Sequence, residues 1–287
     1  RRAAQYLLCN GPVTQQDRWE EDPGYSPFTL AVEVAALYCA ADLAGRYEPG
    51  LRGILLESAQ AWDAALEDRT YVRGTDLARQ YGVDGYYVRI AAPDCAEGAN
   101  SGEGYVPIKN RPPGDDRSPA SHVLSPDALA LVRFGLREAN DPRMLSTVKL
   151  IDALLKVETP AGPLWHRYNG DGYGEHEDGQ AFDGTGRGRL WPLLCAERAH
   201  YELAAGRPQV AEALRATLAA SASDGGLLPE QVWDGPEIPE RELSFGRPSG
   251  SAMPLVWAHA EYLKLCRSLA DGRIFDCPPL PPERGQN

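Results

Sequence analysis

Apolar residues recur at spacings of three and four along much of the chain, which is the period of an amphipathic helix. The clearest stripe follows Asp141-Pro142 and consists of Met144, Leu145, Val148, Ile151, Leu154 and Leu155. Proline is pre-organised for the first helical turn, and it follows a good capping residue at Ser26-Pro27, Ser125-Pro126 and Asp141-Pro142. These signals predict helices over about residues 1–9, 27–45, 48–67, 126–139, 142–156, 191–205, 207–221 and 253–270.

Strand signals are few, and they are confined to residues 86–90 and, more weakly, to residues 105–108. Both segments lie in an irregular region from about 70 to 122 that is rich in Gly, Pro and Asp. The sequence shows no repeat at spacings of about 34 or 40 residues, which argues against tetratricopeptide or HEAT units. Helices joined by short turns on one side and Gly-rich loops on the other favour an all-α fold of helical hairpins set in a ring. A Pro-rich tail follows over residues 277–287.

Composition limits the classes of partner. The net charge is −12, and the Lys and Arg residues form no basic stripe, which argues against a nucleic-acid or anionic-membrane partner. No stretch approaches the roughly 18 apolar residues that a membrane-spanning helix needs. The sequence has no initiator Met and begins inside a predicted helix. We therefore expect the C-terminal portion of a longer protein, with its N-terminal remainder as a partner and its localisation left open.

The residue pattern predicts no metal centre or other cofactor. The six cysteines are far apart, without a CxxC motif or a Cys/His cluster, and disulfide pairing is left open. The loop of residues 171–179 is rich in carboxylates but lacks the EF-hand pattern. A solvated loop is the favoured interpretation there, and calcium binding is the weaker alternative.

Two short carboxylate segments near opposite ends of the chain carry the most chemical information. Residues 16–21 place Glu20 beside Trp19, and residues 227–234 carry Glu230 close to a second tryptophan. Hydrolysis of a glycosidic bond needs one carboxylic acid to protonate the leaving oxygen and one carboxylate to activate water. An indole ring adds a stacking surface for sugar. Both segments lie in Gly/Pro-rich stretches, where a scaffold commonly carries its functional loops.

These two segments resemble the general-acid and general-base segments of glycoside hydrolase family 15, the glucoamylase and glucodextranase group, in its bacterial form. Residues 165–174 (WHRYNGDGYG), 188–194 (GRLWPLL) and 251–259 (SAMPLVWAH) are similar to further segments of the family, in the same order. The resemblance implies an (α/α)6 barrel with its active site in the loops at one end. Residues 1–276 would form an incomplete barrel that lacks the N-terminal helices.

The resemblance also implies an inverting, exo-acting glycosidase that releases β-glucose from the non-reducing ends of α-glucans. Carried over position by position, Glu20 is the expected general acid and Glu230 the expected general base. Four further residues are expected to contact the sugar, namely Trp19, Glu21, Arg167 and Trp257. Trp19 and Glu21 would line the acid side of the site. The Arg167 guanidinium would hydrogen-bond substrate hydroxyls, and the Trp257 indole would pack near the sugar.

Several alternatives stay open. The α-1,4 and α-1,6 glucosides are preferred as substrates over trehalose, which members of the family also hydrolyse. On the residues alone, Arg167 is also a candidate for a structural ion pair, and Trp257 for plain core packing. A non-catalytic carbohydrate-binding barrel would be expected to lack Glu20 or Glu230, and both are present. A helical-repeat scaffold for protein partners would be expected to show internal repeats.

Overall fold

The structure of the chain, a computed structural model, describes residues 1–93 and 102–280. Within these two ranges the backbone forms ten α-helices. They are α1 (Arg2–Asn10), α2 (Pro27–Tyr47), α3 (Pro49–Ala64), α4 (Leu66–Thr70), α5 (Asp76–Tyr81), α6 (Leu129–Arg133), α7 (Pro142–Leu154), α8 (Pro192–Ala204), α9 (Pro208–Ala220) and α10 (Val256–Asp271).

Short strands in the same ranges form three antiparallel sheets, two of them with two strands and one with three in the order β5-β6-β7. The strands are β1 (Tyr71–Arg73), β2 (Gly85–Tyr87), β3 (Tyr105–Pro107), β4 (Arg117–Pro119), β5 (Lys156–Thr159), β6 (Gly162–His166) and β7 (Leu190–Trp191). The predicted strands over 86–90 and 105–108 correspond to β2 and β3, each of them shorter than expected.

Proline locates several helix starts correctly. The helices α2, α7 and α8 begin at Pro27, Pro142 and Pro192, as predicted. The Asp141 side chain accepts a hydrogen bond from the backbone N–H of Arg143 at 2.8 Å and so caps α7. Fixed proline geometry and a side-chain acceptor are local properties, which is why the sequence alone is sufficient at these positions.

Other predicted boundaries are wrong. The helix predicted over 126–139 is a 3-10 turn followed by the short α6, because the chain takes a left-handed turn at Gly135, where φ is 73°. The helix predicted over 48–67 is divided into α3 and α4 at Ala65. The final helix begins three residues later than predicted, at Val256. The helix α5 and the sheet of β5, β6 and β7 were not predicted, because each consists of segments too short to show a clear period.

The helices pack mainly as hairpins. The helix α2 lies along α3, α8 lies along α9, and α10 contacts both α8 and α9. The helix α8 is central, because every residue from 192 to 203 is buried. One large apolar cluster joins these elements, with Leu30 and Leu37 of α2 and Leu193 and Leu194 of α8 fully buried in it. The long loops between the hairpins are thereby fixed to a rigid helical core.

The helix α2 corrects the expectation that no segment approaches the length and apolar composition of a membrane-spanning helix. Of the described residues, only Pro27–Tyr47 forms a helix long and apolar enough to cross a membrane by length and composition. An apolar helix in the core of a protein meets the same criterion. Residues such as Val34 and Leu37 of α2 are fully buried, and this helix packs against α3 and α6.

The cysteines and the tail bear on two further expectations. Four cysteines are free thiols, namely Cys9, Cys39, Cys195 and Cys266. Cys95 lies outside the described residues. Of the Pro-rich tail, residues 277–280 have no regular secondary structure, and residues 281–287 are also outside the described part of the chain.

Candidate active site

The loop that carries Glu20 is built around Asp17. The Oδ1 atom of Asp17 accepts hydrogen bonds from the backbone N–H groups of Trp19 at 3.0 Å and Glu21 at 3.1 Å. Its carbonyl oxygen accepts a hydrogen bond from the N–H of Glu20 at 3.0 Å, and its own N–H donates to the carbonyl of Asp22 at 2.9 Å. Aspartate commonly organises turns through such local bonds. The result is a tight loop with Glu20 at its tip.

Glu20 has an unusual backbone for a residue with a side chain. Its φ is 61°, in the left-handed region that few non-glycine residues adopt. Its side chain is exposed and forms no hydrogen bond or ion pair with the described part of the chain. Backbone strain of this kind concentrates at functional sites, where the surrounding structure imposes it. The loop therefore presents a carboxyl group at a constrained position.

A buried arginine neutralises the base of this loop. The Arg89 guanidinium donates to Asp22 at 2.9 Å, to Asp17 at 2.6 Å and to Glu21 at 2.8 Å. All four side chains are buried. The three carboxylates are close enough together to hold a metal ion, yet Arg89 already provides them with a cation. The group is therefore a structural ion-pair network that fixes the loop.

Glu21 links the same loop to the segment of residues 165–174. Its Oε1 atom accepts a hydrogen bond from Arg167 Nη2 at 2.8 Å, and its Oε2 atom accepts one from the Tyr168 hydroxyl at 2.7 Å. The Nε and Nη2 atoms of Arg167 also donate to Asp171, both at 2.7 Å. Two residues expected to contact sugar are thus held in buried ion pairs, which is the alternative that the sequence left open for Arg167.

Four aromatic rings connect the two carboxylate segments. The Trp19 ring centroid lies 5.1 Å from that of Trp191 and 5.5 Å from that of Trp257. The Tyr173 ring lies 6.2 Å from Trp191, and its hydroxyl donates to Glu230 Oε2 at 3.3 Å. A continuous aromatic path therefore runs from the first carboxylate segment to the second. Such rings suit the apolar faces of sugars.

Arg167 lies among these rings. Its guanidinium carbon is 5.0 Å from the ring centroids of Trp19 and Tyr173 and 5.3 Å from that of Trp191. The indole N–H groups of Trp19 and Trp191 are buried and have no acceptor among the described residues. Because buried polar groups normally have a hydrogen-bond partner, these two N–H groups are candidate donors to a bound ligand.

The second carboxylate segment extends the sheet formed by β5, β6 and β7. Val232 and Leu190 exchange two backbone hydrogen bonds, at 2.8 Å and 3.2 Å, which places the segment next to the strand that ends at Trp191. The N–H of Glu230 donates to the carbonyl of Ala252 at 2.8 Å. Backbone bonds on both sides thus fix the position of the Glu230 side chain.

Glu230 lies in the wall of a cavity of about 520 Å³, with Tyr173, Glu175 and Phe182 also in the wall. Burial raises the pKa of Glu230 above its ordinary value. Hydrogen bonds from Tyr173 and Gln231 oppose this change, and the charge of Glu175 adds to it. A carboxylate with a raised pKa is suited to accept a proton from water.

Three of the four carboxylates in the loop over residues 171–179 have protein partners. Asp171 pairs with Arg167, as described above, and the exposed Glu177 pairs with Arg187 at 2.5 Å. Asp178 accepts hydrogen bonds from the backbone and side chain of Gln180. Apart from Glu175, whose Oε2 atom has no hydrogen-bond partner among the described residues, the carboxylates that motivated the calcium alternative are engaged in hydrogen bonds and ion pairs.

Glycine allows this loop to approach the second carboxylate segment closely. A Cβ atom on Gly174 would lie 2.2 Å from the carbonyl oxygen of Arg187 and 2.9 Å from Oε1 of Gln231. A Cβ atom on Gly188 would lie 2.5 Å from the carboxylate of Asp171. Both distances exclude any larger residue. The Gly-rich pattern of this part of the sequence thus reflects close backbone packing behind the site.

The structure brings together five of the six predicted site residues, which are Glu20 on its loop and Trp19, Glu21, Arg167 and Trp257 around the aromatic rings. Glu230 lies at the other end of the aromatic path. Sequence reasoning missed Tyr173 and Trp191. In the sequence, Trp191-Pro192 indicates a helix start, and no local pattern indicates that its ring contacts Trp19.

The sequence matches the family described as glycosyl hydrolases family 15 over residues 1–267. The chain therefore belongs to this family, as its resemblance implied. It is 38% identical over 281 residues to a glucoamylase of Clostridium sp. (strain G0005). The match covers 96% of this chain and 36% of that protein.

Solved structures agree with this assignment. A bacterial glucoamylase in complex with acarbose has a TM-score of 0.85 and 38% identity, and the match covers 96% of this chain and 38% of that one. A glucoamylase from Saccharomycopsis fibuligera shares the fold, with a TM-score of 0.61 at 16% identity over 94% of this chain and 60% of that one. The fold is that of part of a glucoamylase (α/α)6 barrel, which confirms the predicted fold class. The chain spans less than two fifths of the length of the two bacterial relatives.

Proposed function

We propose that the chain carries the acid and the base of an inverting, exo-acting α-glucoside hydrolase, with Glu20 as the general acid and Glu230 as the general base. The observation that carries the proposal is the aromatic path that joins the loop of Glu20 to the carboxylate of Glu230. Glu20 donates a proton to the glycosidic oxygen while Glu230 takes a proton from water. The water oxygen attacks the anomeric carbon from the opposite face and yields β-glucose.

The environments of the two carboxyl groups support these roles. Glu20 is exposed on a constrained loop and is free of protein partners in the described ranges, as a group that must reach a substrate oxygen should be. Glu230 is half-buried in a cavity wall, where burial raises its pKa and favours proton acceptance.

Sugar binding falls to the aromatic rings and the arginine among them. Trp19 and Trp257 offer the stacking surface, and the unpaired indole N–H of Trp191 is a further donor. Glu21 holds Arg167 in place through Nη2. The Nη1 atom of Arg167 makes no hydrogen bond with the described residues and is left for a substrate hydroxyl.

The substrate class follows from the relatives. The Clostridium relative is a glucoamylase, and the bacterial glucoamylase structure with a TM-score of 0.85 is a complex with acarbose. We therefore propose α-1,4 or α-1,6 glucans and oligosaccharides as substrates. The same site is expected to bind acarbose.

The test is glucose release from maltose, isomaltose and trehalose by the wild-type chain, Glu20→Gln, Glu230→Gln and the control Glu57→Gln, an exposed carboxylate on α3. Both site variants should lose activity by about 100- to 10,000-fold, the usual contribution of a general acid or base. The control should keep the wild-type rate. Wild-type activity in either site variant would contradict the assignment. Acarbose binding without hydrolysis by the wild type would instead support a non-catalytic sugar-binding barrel.

A further inference from the structure

A third carboxylate, Glu175, lies in the wall of the cavity that contains Glu230. Glu175 is only 6% exposed, and its Oε2 atom has no hydrogen-bond partner among the described residues. Buried carboxylates are normally paired, because removing a charge from water without compensation costs free energy. An unpaired carboxylate in this position therefore requires a functional explanation.

The backbone of Glu175 is fixed relative to the Glu230 segment. The Arg189 guanidinium donates to the Glu175 carbonyl oxygen through Nε at 3.2 Å and Nη2 at 2.7 Å. The same guanidinium donates to Asp234 at 2.8 Å, and the N–H of Arg189 donates to Gln231 Oε1 at 2.9 Å. Because Gln231 and Asp234 lie in the Glu230 segment, Arg189 holds both parts of the cavity wall together.

The groups that face Glu230 include donors, one cation and one like charge. The Tyr173 hydroxyl is 3.3 Å from Glu230 Oε2, and the Gln231 side chain is a second donor. Arg167 attracts a negative charge on Glu230, and Glu175 repels it. Tyr173, Gln231 and Arg167 therefore favour the ionised form of Glu230. Burial and the charge of Glu175 favour its protonated form.

We propose that Glu175 is a positioning residue for Glu230. The ionised carboxylate of Glu175 repels the charge on Glu230 across the shared cavity and so keeps Glu230 an effective proton acceptor. The inference deepens the proposed function and rests on it for the identity of the proton donor, which is water. The water proton moves to Glu230 while the water oxygen bonds to the anomeric carbon, and the bond between that carbon and the glycosidic oxygen protonated by Glu20 breaks. Glu175 gains no proton and forms no bond.

The direct test is a titration of Glu230 by ¹³C NMR in the full chain labelled at the glutamate carboxyl carbon, with Glu230→Gln to assign its signal. Glu175→Gln should lower the pKa of Glu230, because the like charge is removed. The matched control is Glu177→Gln, an exposed carboxylate on the same loop that should leave the titration unchanged. An unchanged Glu230 titration in Glu175→Gln would overturn the proposal.

A kinetic measurement and a second variant distinguish the role of Glu175 from hydrolysis itself and from misfolding. In an active enzyme, Glu175→Gln should move the acidic limb of the kcat/KM profile to lower pH and lower kcat at its plateau, with KM unchanged. A shifted titration without any hydrolysis by the wild type supports the role of Glu175 and removes the proposed function. Glu175→Asp retains the charge, so it should keep a titration closer to wild type than to Glu175→Gln. If the pKa of Glu230 in a folded Glu175→Asp variant fell as far as in Glu175→Gln, the result would count against charge repulsion.

Discussion

Replacing Glu20 with glycine should leave the folded chain more stable than replacing it with alanine, although both changes remove the same carboxyl group. The φ of Glu20 is 61°, and the left-handed conformation costs an L-residue roughly 1–2 kcal/mol. Glycine avoids this cost, but it loses about 0.5–1 kcal/mol more backbone entropy on folding. The net advantage of glycine is therefore about 0.75 kcal/mol, or roughly a three- to fourfold change in the folding equilibrium.

The assay is urea unfolding of the two variants, followed by tryptophan fluorescence at neutral pH. The control pair is Glu57→Gly and Glu57→Ala in the middle of α3, where the order should reverse because glycine costs about 1 kcal/mol relative to alanine in a helix. Equal stability of the two Glu20 variants, or greater stability of the alanine variant, would refute the argument that the loop holds Glu20 under backbone strain.

Three further changes test the buried charges. Arg89→Met leaves Asp17 and Asp22 without a paired cation and Glu21 with Arg167 alone, so urea unfolding should show a loss of about 3–5 kcal/mol, against little change for the exposed Arg73→Met. Burial raises the pKa of Glu33 to about 7, so stability is greatest below its unfolded value near 4.5 and falls as pH rises through 7. Glu33→Gln should therefore match the wild type at pH 4 and exceed its unfolding free energy by about 2 kcal/mol at pH 9, which is less than the roughly 3.4 kcal/mol of the full pKa shift because solvent screens a partly exposed group. Equal stability at pH 9 would contradict this. Burial opposes ionisation of Asp234, but hydrogen bonds from His166 and Arg189 outweigh it and lower its pKa to about 2. The stability that Asp234 contributes is present above pH 4 and is lost as pH falls toward 2, so Asp234→Asn should flatten the stability curve in that window.

The local sequence was sufficient for part of the fold. Proline after a capping residue predicted the starts of α2 and α7, because both the fixed φ and the side-chain acceptor are encoded within a few residues. The strand β7 was not predicted, because two residues carry no period. Its position depends on pairing with Val232, which is 42 residues from Leu190 in the sequence.

The candidate site was predicted where a motif carries its chemistry and missed where chemistry depends on distant partners. Glu20 and Glu230 each lie in a segment whose neighbours indicate the role that we propose for it. Arg89 interacts with the Glu20 loop from about 70 positions away, and nothing around it in the sequence indicates that contact. Glu175 is one acidic residue of several in its loop, and only its burial distinguishes it from the exposed Glu177.

The central claim is that Glu20 and Glu230 act on opposite faces of an α-glucoside. The most direct measurement is the anomeric form of the first glucose released from maltotriose, whose leaving group is maltose and not a second glucose, observed by proton NMR before mutarotation. An inverting enzyme must release β-glucose, and the signal should be absent in Glu20→Gln and Glu230→Gln. Initial release of α-glucose would indicate retention of configuration and would contradict the assignment of Glu230 as the base that activates water.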